Sequence, residues 1–226
     1  MRISLFIFIV AMAACAGETK APEAPKTAAP VAEATPAVDS IDYDSSEWTE
    51  LIRLDSTFVL DIRYATTNNF TGEQIYDCGR CFLRKKAAEK LLAIQRELRE
   101  KGLGLKLFDC YRPRPYQWKL WEKVPNPAYV ADPRKGSMHN RGAAVDLTLV
   151  DSLGHELPMG TGYDFFGPEA HHSYTALPDS ILANRRLLLQ TMEGHGFKHI
   201  RTEWWHYSLR NDLSPLDDWV WGCNTF

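Results

Sequence analysis

The sequence predicts an α+β fold in a single folded domain covering residues 39–226. Three observations predict it. Helix-like and strand-like stretches follow one another without the regular βαβ period of a doubly wound sheet. No internal repeat is evident. The composition, 45% hydrophobic and 24% charged, is that of a globular chain and excludes a disordered or collagenous one. The 26 Lys and Arg are outweighed by 29 Asp and Glu, for a net charge of −3. Phosphate neutralisation needs a basic excess or a local basic patch, and none stands out, so no nucleic-acid partner is expected.

The first segment, residues 1–15, reads as a lipoprotein-type signal peptide. After Arg2 the chain is almost wholly apolar from Ile3 to Ala14. That run is shorter than the roughly 20 residues a membrane-spanning helix needs, and it lacks the amphipathic period of a short buried helix, the bland alternative. Met12-Ala13-Ala14-Cys15 resembles a bacterial lipobox, with Met where Leu is usual. It implies lipidation and membrane attachment at Cys15, in the periplasm or cell envelope. Residues 16–38 are rich in Ala and Pro and contain no aromatic residue. Such a segment buries too little apolar surface to offset its ordering entropy and is expected to be a disordered tether.

Within the domain, Phe58–Tyr64 is rich in β-formers and predicts a strand that ends at Thr66-Thr67-Asn68-Asn69. From Leu83 to Lys101, apolar residues at 87, 88, 91, 92, 94 and 98 recur at helical spacing, and Gly102 supplies a stop. Leu105, Leu107 and Phe108 form a short strand leading into Asp109-Cys110-Tyr111-Arg112-Pro113. A helix follows from Pro115 to Lys123, then a Pro-rich loop. Ala143–Val150 reads as a strand and Pro178–Gly194 as a helix with its stripe at Ile181, Leu182, Leu187, Leu188 and Met192. Glu203–Leu209 reads as a strand of bulky residues.

Cys78, Cys81, Cys110 and Cys223 are an even set that an oxidising compartment tends to pair, in any of three connectivities. Cys78-Gly79-Arg80-Cys81 offers two weaker alternatives: half of a structural zinc site, for which a second CxxC or a CxxH partner is missing, or a redox pair, for which the βαβ setting is missing.

Two stretches carry chemistry. In Ser137-Met138-His139-Asn140-Arg141-Gly142-Ala143-Ala144-Val145-Asp146, a histidine ends a loop and an aspartate sits in the strand that follows. In Glu203-Trp204-Trp205-His206 a carboxylate and an imidazole lie three apart. His139, Asp146 and His206 together could supply three ligands to one Zn2+ per chain, leaving a fourth tetrahedral position for water, from which the non-ligand Glu203 could take a proton. A strand points residues i and i+3 to opposite faces, so Glu203 and His206 can share a site only through a local irregularity, which is expected here. Taken singly, each histidine is more often a surface or core residue than a ligand; His155, His195 and His199 show no partner pattern and read as surface. His171 and His172 read either as lining a site mouth or as solvated. Trp204, Trp205, Trp219 and Trp221 read as core, with Trp205 a further candidate for shaping the pocket.

Read as SxHxxGxAxD followed by Glu203, Trp205 and His206, the sequence resembles the VanX-type D-alanyl-D-alanine dipeptidases, zinc enzymes of the DD-peptidase/Hedgehog fold. Tyr64-Ala65-Thr66, Asn69-Phe70-Thr71-Gly72, Asp109 with Tyr111-Arg112-Pro113, Met159-Gly160 with Tyr163-Asp164, and His171-His172 match as well, so the likeness covers most of residues 50–210. The resemblance implies an antiparallel sheet with packed helices and zinc on His139, Asp146 and His206. It implies Glu203 as general base and later proton donor, and Arg112 holding the oxyanion. It also implies Tyr64, Ser137 and Asp164 around a small D,D-dipeptide, with Asp164 taking its ammonium group. For Arg112 the plainer reading is a salt bridge to Asp109 or packing on Tyr111. Trimming of longer stem peptides, and wall-peptide binding without catalysis, are the alternative functions.

Overall fold

The computed structural model describes residues 41–127, 129–212 and 214–223; the signal segment 1–15 and tether 16–38 lie outside them. Strand β1, Trp48–Glu50, leads into the short helix α1, Leu51–Leu54, and strand β2 is only Val59–Leu60. After a long loop, β3 (Phe82–Arg84) pairs antiparallel with β1 and runs directly into helix α2, Lys85–Glu100. Ala87, Ala88, Leu91, Ile94 and Leu98 form its buried stripe, and the helix ends before Gly102, whose φ of 72° an L side chain rarely adopts. Strand β4 (Leu103–Asp109), helix α3 (Arg114–Lys123), strand β5 (Ala144–Asp151), helix α4 (Asp179–Gly194) and strands β6 (Lys198–Ile200) and β7 (Glu203–Ser208) complete the order. Among the described residues no helix is long and apolar enough to cross a membrane.

The main sheet has the order β2-β4-β5-β7-β6, antiparallel at every pair but β2–β4, which is parallel. The strand expected over Phe58–Tyr64 is thus a correction. Pairing stops after Val59, Leu60 and one further bond from Asp61 N–H to the Leu107 carbonyl, and Arg63–Ala65 turns as a 3-10 helix. The Tyr64 carbonyl then accepts from both Ile75 and Tyr76 N–H, which draws Tyr64 inward instead of along a strand. The three-residue strands β1, β3 and β6 were not expected from the sequence.

Strand β5 is buried from Ala144 to Val150, so it lies at the centre of the sheet, covered on both faces. Two polar side chains interrupt it, Asp146 and Thr148. Gln95 of α2 is also buried and fully used: its amide donates to Thr57 and its oxygen accepts from Leu105 N–H, tying α2 to β4. On α4, the buried Arg185 donates to the carbonyls of Met159, Glu169 and His171, which folds the 159–171 loop onto the domain.

The disulfides are Cys78–Cys223 and Cys81–Cys110. Each cysteine of the CxxC segment therefore has a distant partner, which corrects the readings of that segment as half a zinc site or a redox pair. The first disulfide pins a C-terminal strap. There Trp219 and Trp221 pack on Trp48, Phe82 and Tyr111, Tyr111 Oη donates to the Trp219 carbonyl, and Asp217 receives Arg84. Trp204, Trp205 and Trp221 are buried, as expected, and Trp219 is half-buried.

Candidate active site

The eight residues singled out in the sequence (Tyr64, Arg112, Ser137, His139, Asp146, Asp164, Glu203 and His206) all line one cavity of about 210 Å³. They come from separate places in the chain. Tyr64 sits on the 3-10 turn after β2, Arg112 just past β4, and Ser137 and His139 on the loop before β5. Asp146 lies in β5, Asp164 on the loop held by Arg185, and Glu203 and His206 in β7. Two backbone features bring the loops together. Arg112 N–H donates to the His139 carbonyl, and the Asn140 amide donates to the Arg112 carbonyl at 2.7 Å. Gly142 turns the chain into β5 at φ 67°, where an added Cβ would lie 2.5 Å from the Trp48 ring, so only glycine fits there.

The irregularity expected between Glu203 and His206 is present. Along β6 and β7 the register runs from His199 opposite Tyr207 to Ile200 opposite Glu203, so the residues between Glu203 and Tyr207 form a bulge. That bulge puts both Glu203 and His206 in the cavity wall.

Three donor atoms converge. His206 Nδ1 lies 2.9 Å from Asp146 Oδ1 and 3.1 Å from His139 Nε2, and the latter is 3.3 Å from Asp146 Oδ1. Two bond lengths of about 2.0–2.1 Å meeting at the tetrahedral angle place ligand atoms roughly 3.3 Å apart, so the spacing fits a tetrahedral cation. His139 Nδ1 donates to the Cys110 carbonyl at 2.7 Å, which fixes the tautomer and leaves the Nε2 lone pair directed at the other donors. The electrostatics agree. Burial works against a charge on His139, but Asp146 outweighs it and the imidazole is shifted upward. Burial also opposes ionisation of Asp146, which is 3% exposed, yet His139 and His206 hold its carboxyl well below the usual range. The group favours positive charge at its centre, as protons or as a metal ion.

Around this centre the other residues differ in state. Burial pushes the Glu203 carboxyl up to about 7. The Asp164 carboxyl is raised well above its ordinary value by burial and by Asp146. It accepts from Tyr64 Oη at 2.9 Å, and its backbone φ of 56° is in the left-handed region that non-glycine residues seldom occupy. Arg112 pairs with the buried Asp109, as the plainer sequence reading expected, and the same side chain lines the cavity, with its guanidinium 5.0 Å from the Tyr64 ring. The Ser137 hydroxyl meets Asn140 Oδ1 at 3.2 Å.

A family model described as D-ala-D-ala dipeptidase (Peptidase_M15) matches residues 45–221. The chain belongs to this family. A D-alanyl-D-alanine dipeptidase of Escherichia coli (strain K12) is 40% identical over 175 residues, 76% of this chain and 91% of the relative. Enzymes of the same name from Enterococcus faecium and Streptomyces coelicolor are each 35% identical over 179 residues, 69% of this chain and 87% of theirs. In this member of the dipeptidase family, several supporting residues escaped the sequence reading. Tyr163 Oη donates to Asp146 Oδ2 at 3.0 Å, Gln117 Oε1 accepts from Arg112 at 3.0 Å, and Tyr76 Oη donates to Asp109 at 2.7 Å. No spacing rule marks them; Tyr163 stands next to Asp164 in a quoted motif, which is the one signal available. Of the other histidines, His171 lines a neighbouring cavity, whereas His172 packs on His199. His155, His195 and His199 each meet one carboxylate, Asp151, Glu97 and Glu193 respectively.

Proposed function

We propose that the protein is a zinc-dependent dipeptidase that hydrolyses D-alanyl-D-alanine to two D-alanines. The observation that carries this reading is the single cavity, in which a tetrahedral donor set, a buried carboxyl and a fixed guanidinium meet. The names of its relatives and its family support the substrate. A volume of about 210 Å³ is also below the roughly 300–1,000 Å³ of pockets for drug-sized ligands, which suits a very small substrate.

His139 Nε2, Asp146 Oδ1 and His206 Nδ1 are the atoms that would hold the ion. When bound, zinc supplies Lewis acidity to water and to the scissile carbonyl. Glu203 takes the proton of the attacking water; a carboxyl near neutrality is matched to that task and can then return the proton to the leaving amine. Arg112, locked by Asp109 and Gln117, presents positive charge to the carbonyl oxygen as it becomes negative, without reorganising. Asp164 and Tyr64 take the substrate's ammonium group. A cation there restores the charged state that burial disfavours in Asp164. Ser137 completes the substrate-binding set.

We place the enzyme in the cell envelope, anchored through Cys15 and serving turnover or recycling of wall dipeptides. Two disulfides support an oxidising compartment. A second reading, trimming of longer stem peptides, is favoured by one observation: a neighbouring cavity of about 300 Å³ shares Tyr129 and Glu203 with the first. The deciding experiment measures D-alanine released from D-alanyl-D-alanine by the full chain, with chelation and zinc readdition, beside a stem pentapeptide. Chelator-sensitive cleavage of the dipeptide alone is expected. Cleavage of the pentapeptide moves the function to wall trimming, and no cleavage by folded, zinc-loaded protein leaves a wall-peptide binder.

A further inference from the structure

The two oxygens of Asp146 have different neighbours. Oδ1 faces His206 Nδ1 and His139 Nε2, while Oδ2 accepts the hydroxyl of Tyr163 at 3.0 Å. A buried carboxylate that gives one oxygen to a metal leaves the second to find a donor or to close on the metal as well. Here the donor is built in. Tyr163 is fixed by its own packing: its ring stacks on Phe108 with centroids 5.0 Å apart, and meets Trp205 edge-on at 5.6 Å and Tyr64 at 6.2 Å. It is not among the residues that line the cavity, so it acts through Asp146 rather than on substrate.

We propose that Tyr163 is a positioning residue whose hydroxyl occupies Asp146 Oδ2, holding the carboxylate as a single-oxygen ligand and keeping a coordination position open for the reaction. The inference rests on the metal reading of the site. Tyr163 also adjoins the Tyr64 phenol, which donates to Asp164, so one run of phenols joins the metal carboxylate to the proposed ammonium-binding carboxylate.

The test uses the full chain and its Tyr163→Phe variant, stripped of metal and titrated with Co2+ against a competing chelator while the visible spectrum is recorded. Phenylalanine keeps the ring and its packing and removes only the hydroxyl. Loss of a residue that orients a ligand costs roughly 10–100-fold in metal affinity, and that loss is expected here. The Co2+ absorption should also weaken, because a released Oδ2 closes on the ion and raises its coordination number. Unchanged affinity with an unchanged spectrum overturns the proposal. If the parent chain itself binds no Co2+ at one per chain, the metal reading fails first and the positioning role goes with it.

Discussion

Two pairs of histidines flank strand β7, and they are almost the same in shape. His139 and His206 have ring centroids 4.9 Å apart at 60°; His172 and His199 lie 4.5 Å apart at 59°. The second pair is on the opposite face, beside Tyr207. What differs is the carboxylate. Asp146 is buried and contacts both imidazoles of the first pair, whereas Glu193 meets His199 alone, at 3.0 Å. The consequences are opposite: His139 is shifted upward, while burial and the neighbouring His199 push His172 down to about 4. Two close imidazoles do not by themselves make a metal site. A buried anion between them favours one, because it turns mutual repulsion into attraction for a shared cation.

The largest test of that contrast removes the anion. Asp146→Ala leaves the first pair resembling the second, and stoichiometric zinc binding, read by metal analysis after gel filtration, should be lost, with D-alanine release falling to background. Retained zinc would mean that the imidazoles suffice. Next in size is Glu203→Gln, which leaves the donor set intact. Zinc content should stay at the parent level while kcat drops by on the order of 10²–10⁴; a drop of less than about tenfold would take Glu203 out of the proton transfer.

Glu203 also sets a pH dependence. Its folded value of about 7 lies above the ordinary 4.5, so on raising pH the unfolded chain ionises first and the folded state retains the proton. The metal-free protein should therefore lose stability as pH rises from about 4.5 through about 7, and Glu203→Gln should flatten that slope in thermal melts. In the loaded enzyme the nearby cation favours the carboxylate, so the acid limb of kcat/KM should fall below 7. The smallest effect is expected on the other face. His199→Gln removes a half-exposed contact with Glu193, and should change stability by less than about 1 kcal/mol and leave zinc content and turnover within about twofold.

The long elements were legible because their periods are strong. The stripe of α2, the apolar run of β5 and the stop at Gly102 are all local signals. The site was legible for a different reason, since His139, Asp146, Glu203 and His206 sit in two short motifs whose chemistry is coherent only together. What stayed hidden depends on partners far away in sequence. Phe58–Tyr64 has the composition of a strand, yet it pairs only where β4 offers an edge, and Tyr64 leaves it to reach Asp164, 100 residues on. The cysteine pairing, and the hydroxyl of Tyr163 on Asp146, follow from packing that no spacing encodes.

The disulfide between Cys78 and Cys223 has a mechanical meaning. The two cysteines are 145 positions apart, and every candidate residue except Tyr64 lies between them. A pull applied between the start of the folded domain and its C-terminal end runs along the chain to Cys78, crosses the sulfur bridge and leaves at Cys223. The segment carrying the ligands lies outside that line of force. A protease cut anywhere inside it still leaves the two pieces covalently joined, so the ligand-bearing segment belongs to a closed ring that neither tension nor a single nick can draw apart.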